Sequence, residues 1–117
     1  MKRLVLLVDD EEIIRLTSGE ILEELGFDVV AAATGREGLA VFRERNSEIS
    51  LVFIDMTLPD MSGMDLFEEM KKISQDTKFL LTSGYRQDMT GAGDKAVFIQ
   101  KPYTISELNI RLTELLG

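Results

Sequence analysis

The chain has 117 residues, a formal net charge of −8, and neither cysteine nor histidine. That length makes one domain with one proper core, and 44% apolar with 29% charged residues is the balance of a soluble globular protein. The acidic surplus argues against nonspecific nucleic-acid binding. The two missing residue types exclude a disulfide framework, thiolate chemistry, a Ser-His-Asp triad, His-ligated zinc and a phosphohistidine on this chain.

In chain order, RLVLLV (3–8) is a continuous apolar run of strand length. The basic Lys2-Arg3 pair precedes a run too short for a signal peptide, and no stretch is long enough to span a bilayer. A cytoplasmic location without membrane contact is therefore the expectation. Residues 12–25 set Ile13, Leu16, Ile21, Leu22 and Leu25 at near-helical spacing, and Gly26 supplies a stop. FDVVAAA (27–33) is a second strand, and Thr34 caps a helix over 35–45 that turns Leu39, Val41 and Phe42 inward. SLVFI (50–54) is a third strand, followed by a helix from Gly63 to Ile73 with Leu66, Phe67 and Met70 on one side. KFLLT (78–82) is a fourth strand, and the glycines at 91 and 93 allow at most a short helix over 86–94. AVFIQ (96–100) is a fifth strand, and Thr104 with Glu107 at capping-box spacing opens a last helix through Leu116.

Strands therefore alternate with helices, and the strands are apolar on both faces, as parallel strands covered by helices on both sides are. This predicts one doubly wound α/β domain over residues 1–117 with right-handed crossovers. In such sheets ligands bind at the carboxyl ends of the strands. With a strand order of 2-1-3-4-5, those ends would bring Asp9, Asp10, Asp55, Ser83 and Lys101 to one rim. Singly, each has an ordinary reading as a cap, a turn residue or a solvated charge. Together, three carboxylates, a hydroxyl and an ammonium make a shared site. Clustered carboxylates repel, and a hard divalent cation such as Mg²⁺ relieves that cost with oxygen ligands. An Asp carboxylate can also attack phosphorus, and a lysine can neutralise a phosphoryl oxygen as a point charge. Pro59 restrains the loop after Asp55 by fixing φ, and Gly63 lets that loop turn into its helix.

LLVDDEE, FIDMTLPDMSG, LLTSGY and IQKPYT, in that order and spacing, resemble the receiver domains of two-component response regulators, including those carried by hybrid sensor histidine kinases. The resemblance covers the whole chain. It implies a flavodoxin-like (βα)5 three-layer sandwich with Asp55 as phosphoacceptor. It implies Mg²⁺ (or Mn²⁺) held by Asp9, Asp10, Asp55 and the Thr57 backbone carbonyl. Ser83 matches the switch hydroxyl, Lys101 the family lysine, and Phe98 the aromatic that rotates inward on activation. Phe98 lacks the hydroxyl of the Tyr often found there. Thr57 and Tyr85 match positions that influence the lifetime of the aspartyl phosphate, and the Lys101-Pro102 bond is cis in the family. The implied donor is a sensor histidine kinase or a histidine phosphotransfer domain. The implied output surface is the fourth helix, fifth strand and last helix, residues 85–117, which also allows a homodimer.

Three other readings compete. An aspartate-nucleophile phosphohydrolase needs a second Asp two residues after the nucleophile, where this chain has Thr57. A flavodoxin-type FMN carrier needs a hydroxyl- and glycine-rich loop where this chain has DDEE. A receiver-like interaction module without phosphotransfer would be favoured by loss of a site residue, and all of them are present.

Overall fold

The computed structural model describes residues 3–83 and 96–117. Five parallel strands, β1 (Leu4–Val8), β2 (Asp28–Ala32), β3 (Ile49–Asp55), β4 (Lys78–Ser83) and β5 (Ala96–Gln100), form one sheet in the order β2-β1-β3-β4-β5. Among the described residues four helices accompany them: α1 (Glu12–Glu24), α2 (Gly35–Arg45), α3 (Gly63–Ile73) and α4 (Ile105–Leu116). The elements predicted from periodicity are present to within a residue or two at each end. The short helix expected over 86–94, and Tyr85, lie outside the described residues.

Side chains alternate across the sheet and divide the core in two. On one face Leu6, Val8, Val52, Ile54, Phe79 and Leu81 pack with Phe42 of α2 and with Leu66, Phe67 and Met70 of α3. Phe79 is the centre of that layer, with the Phe67 ring edge-on at 4.9 Å and the Phe42 ring at 6.4 Å. On the other face Val5, Leu7, Leu51, Phe53 and Leu80 pack with Leu22 of α1 and with Leu108 and Leu112 of α4. Two buried faces explain the unbroken apolar runs of β1, β3 and β4.

Helix starts follow local rules. Thr34 Oγ1 accepts from the Glu37 N–H, Ser62 Oγ from the Asp65 N–H, and Thr104 with Glu107 completes a capping box. Gly26 follows α1 with φ of 99°, a left-handed turn that a glycine adopts freely.

One expected face does not form as read. Leu22 of α1 is buried, but Ile13 and Leu16 are 77% and 61% exposed. At about 100° per residue, Ile14, Ser18, Ile21, Leu22 and Leu25 share an arc of about 100°, while Ile13 and Leu16 fall on the opposite side. Ser18, buried in that arc, interrupts the apolar stripe and hides its true direction.

Candidate phosphoacceptor and cation site

The sheet carries its ladder one residue beyond its strand ends. Asp9 N donates to Ala32 O at 3.1 Å, Met56 N to Thr82 O at 2.8 Å, and Lys101 N to Ser83 O at 2.9 Å. The backbone under the candidate residues is thereby locked, and their side chains project from a common rim. Asp9, Asp55 and Ser83 are 2%, 4% and 1% exposed, an unusual concentration of buried polar groups.

Lys101 ties the rim together. Its Nζ lies 3.1 Å from Asp55 Oδ2, 3.3 Å from Asp9 Oδ2 and 3.6 Å from Glu11 Oε1. The two aspartates also accept local backbone bonds, Asp55 Oδ1 from Thr57 N at 3.0 Å and Asp9 Oδ1 from Glu11 N at 2.9 Å. Arg15 of α1 donates to the Asp9 carbonyl at 2.8 Å and pins the acidic loop from the other side. Burial pushes the Asp9 carboxyl up; the Glu11 N–H and the Lys101 charge oppose this, the Asp55 charge adds to it, and the net direction is upward. Burial alone would push the Lys101 ammonium down, but its hydrogen bonds and charge contacts with Asp55 and Asp9 outweigh it and hold it above its ordinary value.

The carboxylates of Asp9, Glu11 and Asp55 offer ligand oxygens within 4.8 Å of one another. An all-oxygen, anionic donor set of this kind fits a hard divalent cation. The structure thus brings together Asp9, Asp55 and Lys101 and places Ser83 at the end of the neighbouring strand. Asp10 is exposed beside that cluster, and Glu11, also exposed, is a member of it. Thr57, two residues after Asp55, is exposed and pairs with Ser62 across the loop. Pro59 lies exposed in that loop. Gly63 closes it because any side chain there would collide: a Cβ would lie 2.5 Å from the Met56 Cα and 2.6 Å from the Asp55 carbonyl oxygen. Phe98 is half-buried and packs against the α2–α3 side of the core. The Lys101–Pro102 peptide bond is cis.

Several contributors were not singled out from sequence. Glu11 was legible only as part of an acidic run. Arg15 acts through a backbone carbonyl and leaves no motif. Tyr103, whose phenol is pushed up by burial, bonds Ser18 at 2.6 Å and packs on Phe53 at 5.8 Å, joining α1 to the segment that carries Lys101. Thr82 Oγ1, across the ladder from Asp55, is buried without a hydrogen-bond partner, alone in this among the described residues.

A doubly wound sheet with an acid-lined carboxyl rim and one lysine between two buried aspartates defines a phosphoryl-receiving class of α/β domain. Residues 5–113 match the response regulator receiver domain family, and the chain belongs to that family. It is 33% identical to the chemotaxis protein CheY of Thermotoga maritima over 92% of each chain. It is 34% identical to the sensor kinase CckA of Brucella abortus over 96% of this chain, which spans only 12% of that kinase. Among solved structures, a CheY-like receiver from Methanospirillum hungatei JF-1 superposes with a TM-score of 0.85 at 33% identity, covering 97% of this chain and 93% of that one. The response regulator TrrA of Thermotoga maritima, solved in complex with Mg²⁺ and BeF, superposes with a TM-score of 0.86 at 31% identity, covering 97% of this chain and 99% of that one. The chain is a signalling receiver of the two-component type. No helix among the described residues is long and apolar enough to cross a membrane.

Proposed function

We propose that residues 1–117 act as one receiver domain that takes a phosphoryl group from a phosphohistidine onto Asp55. Arg3 at the start and Leu116 at the end, bonded at 3.3 Å, support a single unit. The observation that carries the reading is the Lys101 ammonium between Asp55 and Asp9. A carboxylate oxygen of Asp55 attacks phosphorus, the P–O bond forms as the P–N bond to the donor imidazole breaks, and the imidazole leaves with its electron pair and takes up a proton. Lys101, already paired with Asp55, neutralises a phosphoryl oxygen, and the Thr57 N–H keeps the carboxylate oriented. Asp9, Asp10, Asp55 and the Thr57 carbonyl would hold Mg²⁺ or Mn²⁺, with Glu11 adding negative charge. When bound, the cation supplies charge neutralisation between the carboxylates and the incoming phosphoryl oxygens.

Ser83 then hydrogen-bonds the phosphoryl group and Phe98 turns inward, which alters the surface around β5 and α4. Thr57 and Tyr85, at the positions that influence lifetime in the family, set how long the phosphate lasts. The donor is a cytoplasmic histidine kinase or phosphotransfer domain, on a partner or on a longer parent chain. An apolar groove of about 420 Å³ between α1 and the Lys101–Tyr103 segment, lined by Ile14, Thr17, Ile21 and Pro102, offers such a donor a seat beside Asp55. A second copy of the chain could use the β5–α4 surface.

The test is intact mass after incubation with a small-molecule phosphodonor, with and without Mg²⁺, on wild type and Asp55→Ala. One added phosphoryl group that requires both Mg²⁺ and Asp55 is expected. A gain that persists in Asp55→Ala would overturn the assignment.

A further inference from the structure

An α-helix begins with four N–H groups that have no partner inside the helix. In α2 the N–H groups of Gly35, Arg36 and Glu37 all find acceptors, but not all from the same place. Thr34 Oγ1 takes the Glu37 N–H at 3.1 Å, ahead of the first intrahelical bond, from the Gly38 N–H to the Thr34 carbonyl at 3.0 Å. The other two go to a residue from a different part of the chain. Asp60 Oδ1 accepts from Gly35 N at 2.8 Å, and Asp60 Oδ2 accepts from Arg36 N at 2.9 Å. The two N–H groups hold the Asp60 carboxyl below its usual range, so it is ionised and suited to the positive end of the helix dipole.

Asp60 belongs to the loop between Asp55 and α3. The base of that loop is closed by the Thr57–Ser62 bridge and by the bond from Gly63 N to Met56 O at 2.9 Å. Its tip leans on α2. Besides the two Asp60 bonds, Met61 packs so closely over Gly35 that a Cβ there would lie 2.5 Å from Met61 Cγ. Loop tip and helix start therefore move together or not at all.

We propose that Asp60 is a positioning residue for the cation site: by clamping the loop to the first turn of α2 it fixes Thr57, which would supply its carbonyl as a ligand to the cation. The proposal rests on the reading of Asp9, Asp55 and Thr57 as that site. Groups that orient metal ligands from outside the coordination shell carry about 10–100-fold of metal affinity, and an anchor three residues away belongs at the lower end.

The full chain is titrated with Mg²⁺ by calorimetry as wild type, Asp60→Ala, Asp60→Asn and Thr34→Ala, and the thermal midpoint of each is measured. Thr34→Ala is the control, since it uncaps the same turn without touching the loop. Asp60→Ala and Thr34→Ala both lower the midpoint, but only Asp60→Ala weakens Mg²⁺ binding, by about 10-fold. Its phosphorylation by a small-molecule donor slows at low Mg²⁺ and recovers at saturating Mg²⁺. Asp60→Asn keeps one acceptor and falls between. If Asp60→Ala binds Mg²⁺ as tightly as Thr34→Ala does, the clamp is purely structural and the proposal is overturned. Wild type that binds no Mg²⁺ would overturn the cation-site reading itself, and the positioning role with it.

Discussion

Two ion pairs of equal length sit at opposite ends of the sheet. Arg45 Nε lies 3.1 Å from Glu48 Oε2 in the connection that leads into the amino end of β3, with side chains 39% and 58% exposed. Lys101 Nζ lies 3.1 Å from Asp55 Oδ2 at the carboxyl end of the same strand, with side chains 17% and 5% exposed. Distance does not separate them; burial and connectivity do. Water solvates the first pair whether or not it forms, so it contributes about 0–1 kcal/mol. The second cannot be opened without leaving a desolvated charge, and Asp9 shares its ammonium. The amino end of the sheet is ordinary surface, while the carboxyl end is held in a state that a cation or a phosphoryl group can change.

The contrast is broken most directly by Lys101→Ala. It leaves Asp9 and Asp55 buried and mutually repelling, and is expected to cost about 3 kcal/mol of stability in the presence of a chelator. Urea unfolding measures it, and added Mg²⁺ should return part of the loss if the cation sits where we place it. The same lysine predicts a pH dependence. Its folded pKa is raised, so its contribution is complete below the unfolded value and disappears as pH rises through the folded one. Wild type should lose stability in that alkaline window, and Lys101→Ala should not share the loss.

Gly63→Ala should come next. The added methyl meets backbone rather than a yielding side chain, so a loss of about 2 kcal/mol is expected, with slower phosphorylation because the loop behind Asp55 must shift. Thr82→Val should move the other way. It removes a buried hydroxyl with no partner and keeps the shape, for a gain of about 1 kcal/mol in thermal or chemical unfolding. A loss instead would mean that this hydroxyl is satisfied in solution. Smallest of all, Arg45→Ala at the amino end should change stability by no more than about 0.5 kcal/mol, and less still in high salt. A large effect there would dissolve the contrast between the two ends.

Much of this was readable in advance. Alternating apolar runs and helical stripes, the caps Thr34 and Thr104, and acids placed at strand ends are local patterns, and local sterics and hydrogen bonding enforce them whatever the neighbours do. The family resemblance added roles to Asp9, Asp10, Asp55, Ser83, Phe98 and Lys101. Reading failed where the deciding contact spans the chain. Ile13 and Leu16 look like core residues until the packing of α1 turns Ser18 and Leu22 inward instead. Glu11, legible only as part of an acidic run, joins Asp9 and Asp55 in one carboxylate cluster.

By itself the sequence determined the type and order of the elements, the two-sided core, and the residue types at the carboxyl ends. Those follow from periodicity and from which side chains water rejects. Only the tertiary structure decided that Lys101 reaches both Asp9, 92 residues away, and Asp55, 46 residues away. It alone decided that Asp60 caps a helix begun 25 residues earlier. Contacts at such separations carry no local signature, because they exist only once parallel strands have been set side by side and their ends brought to a common rim.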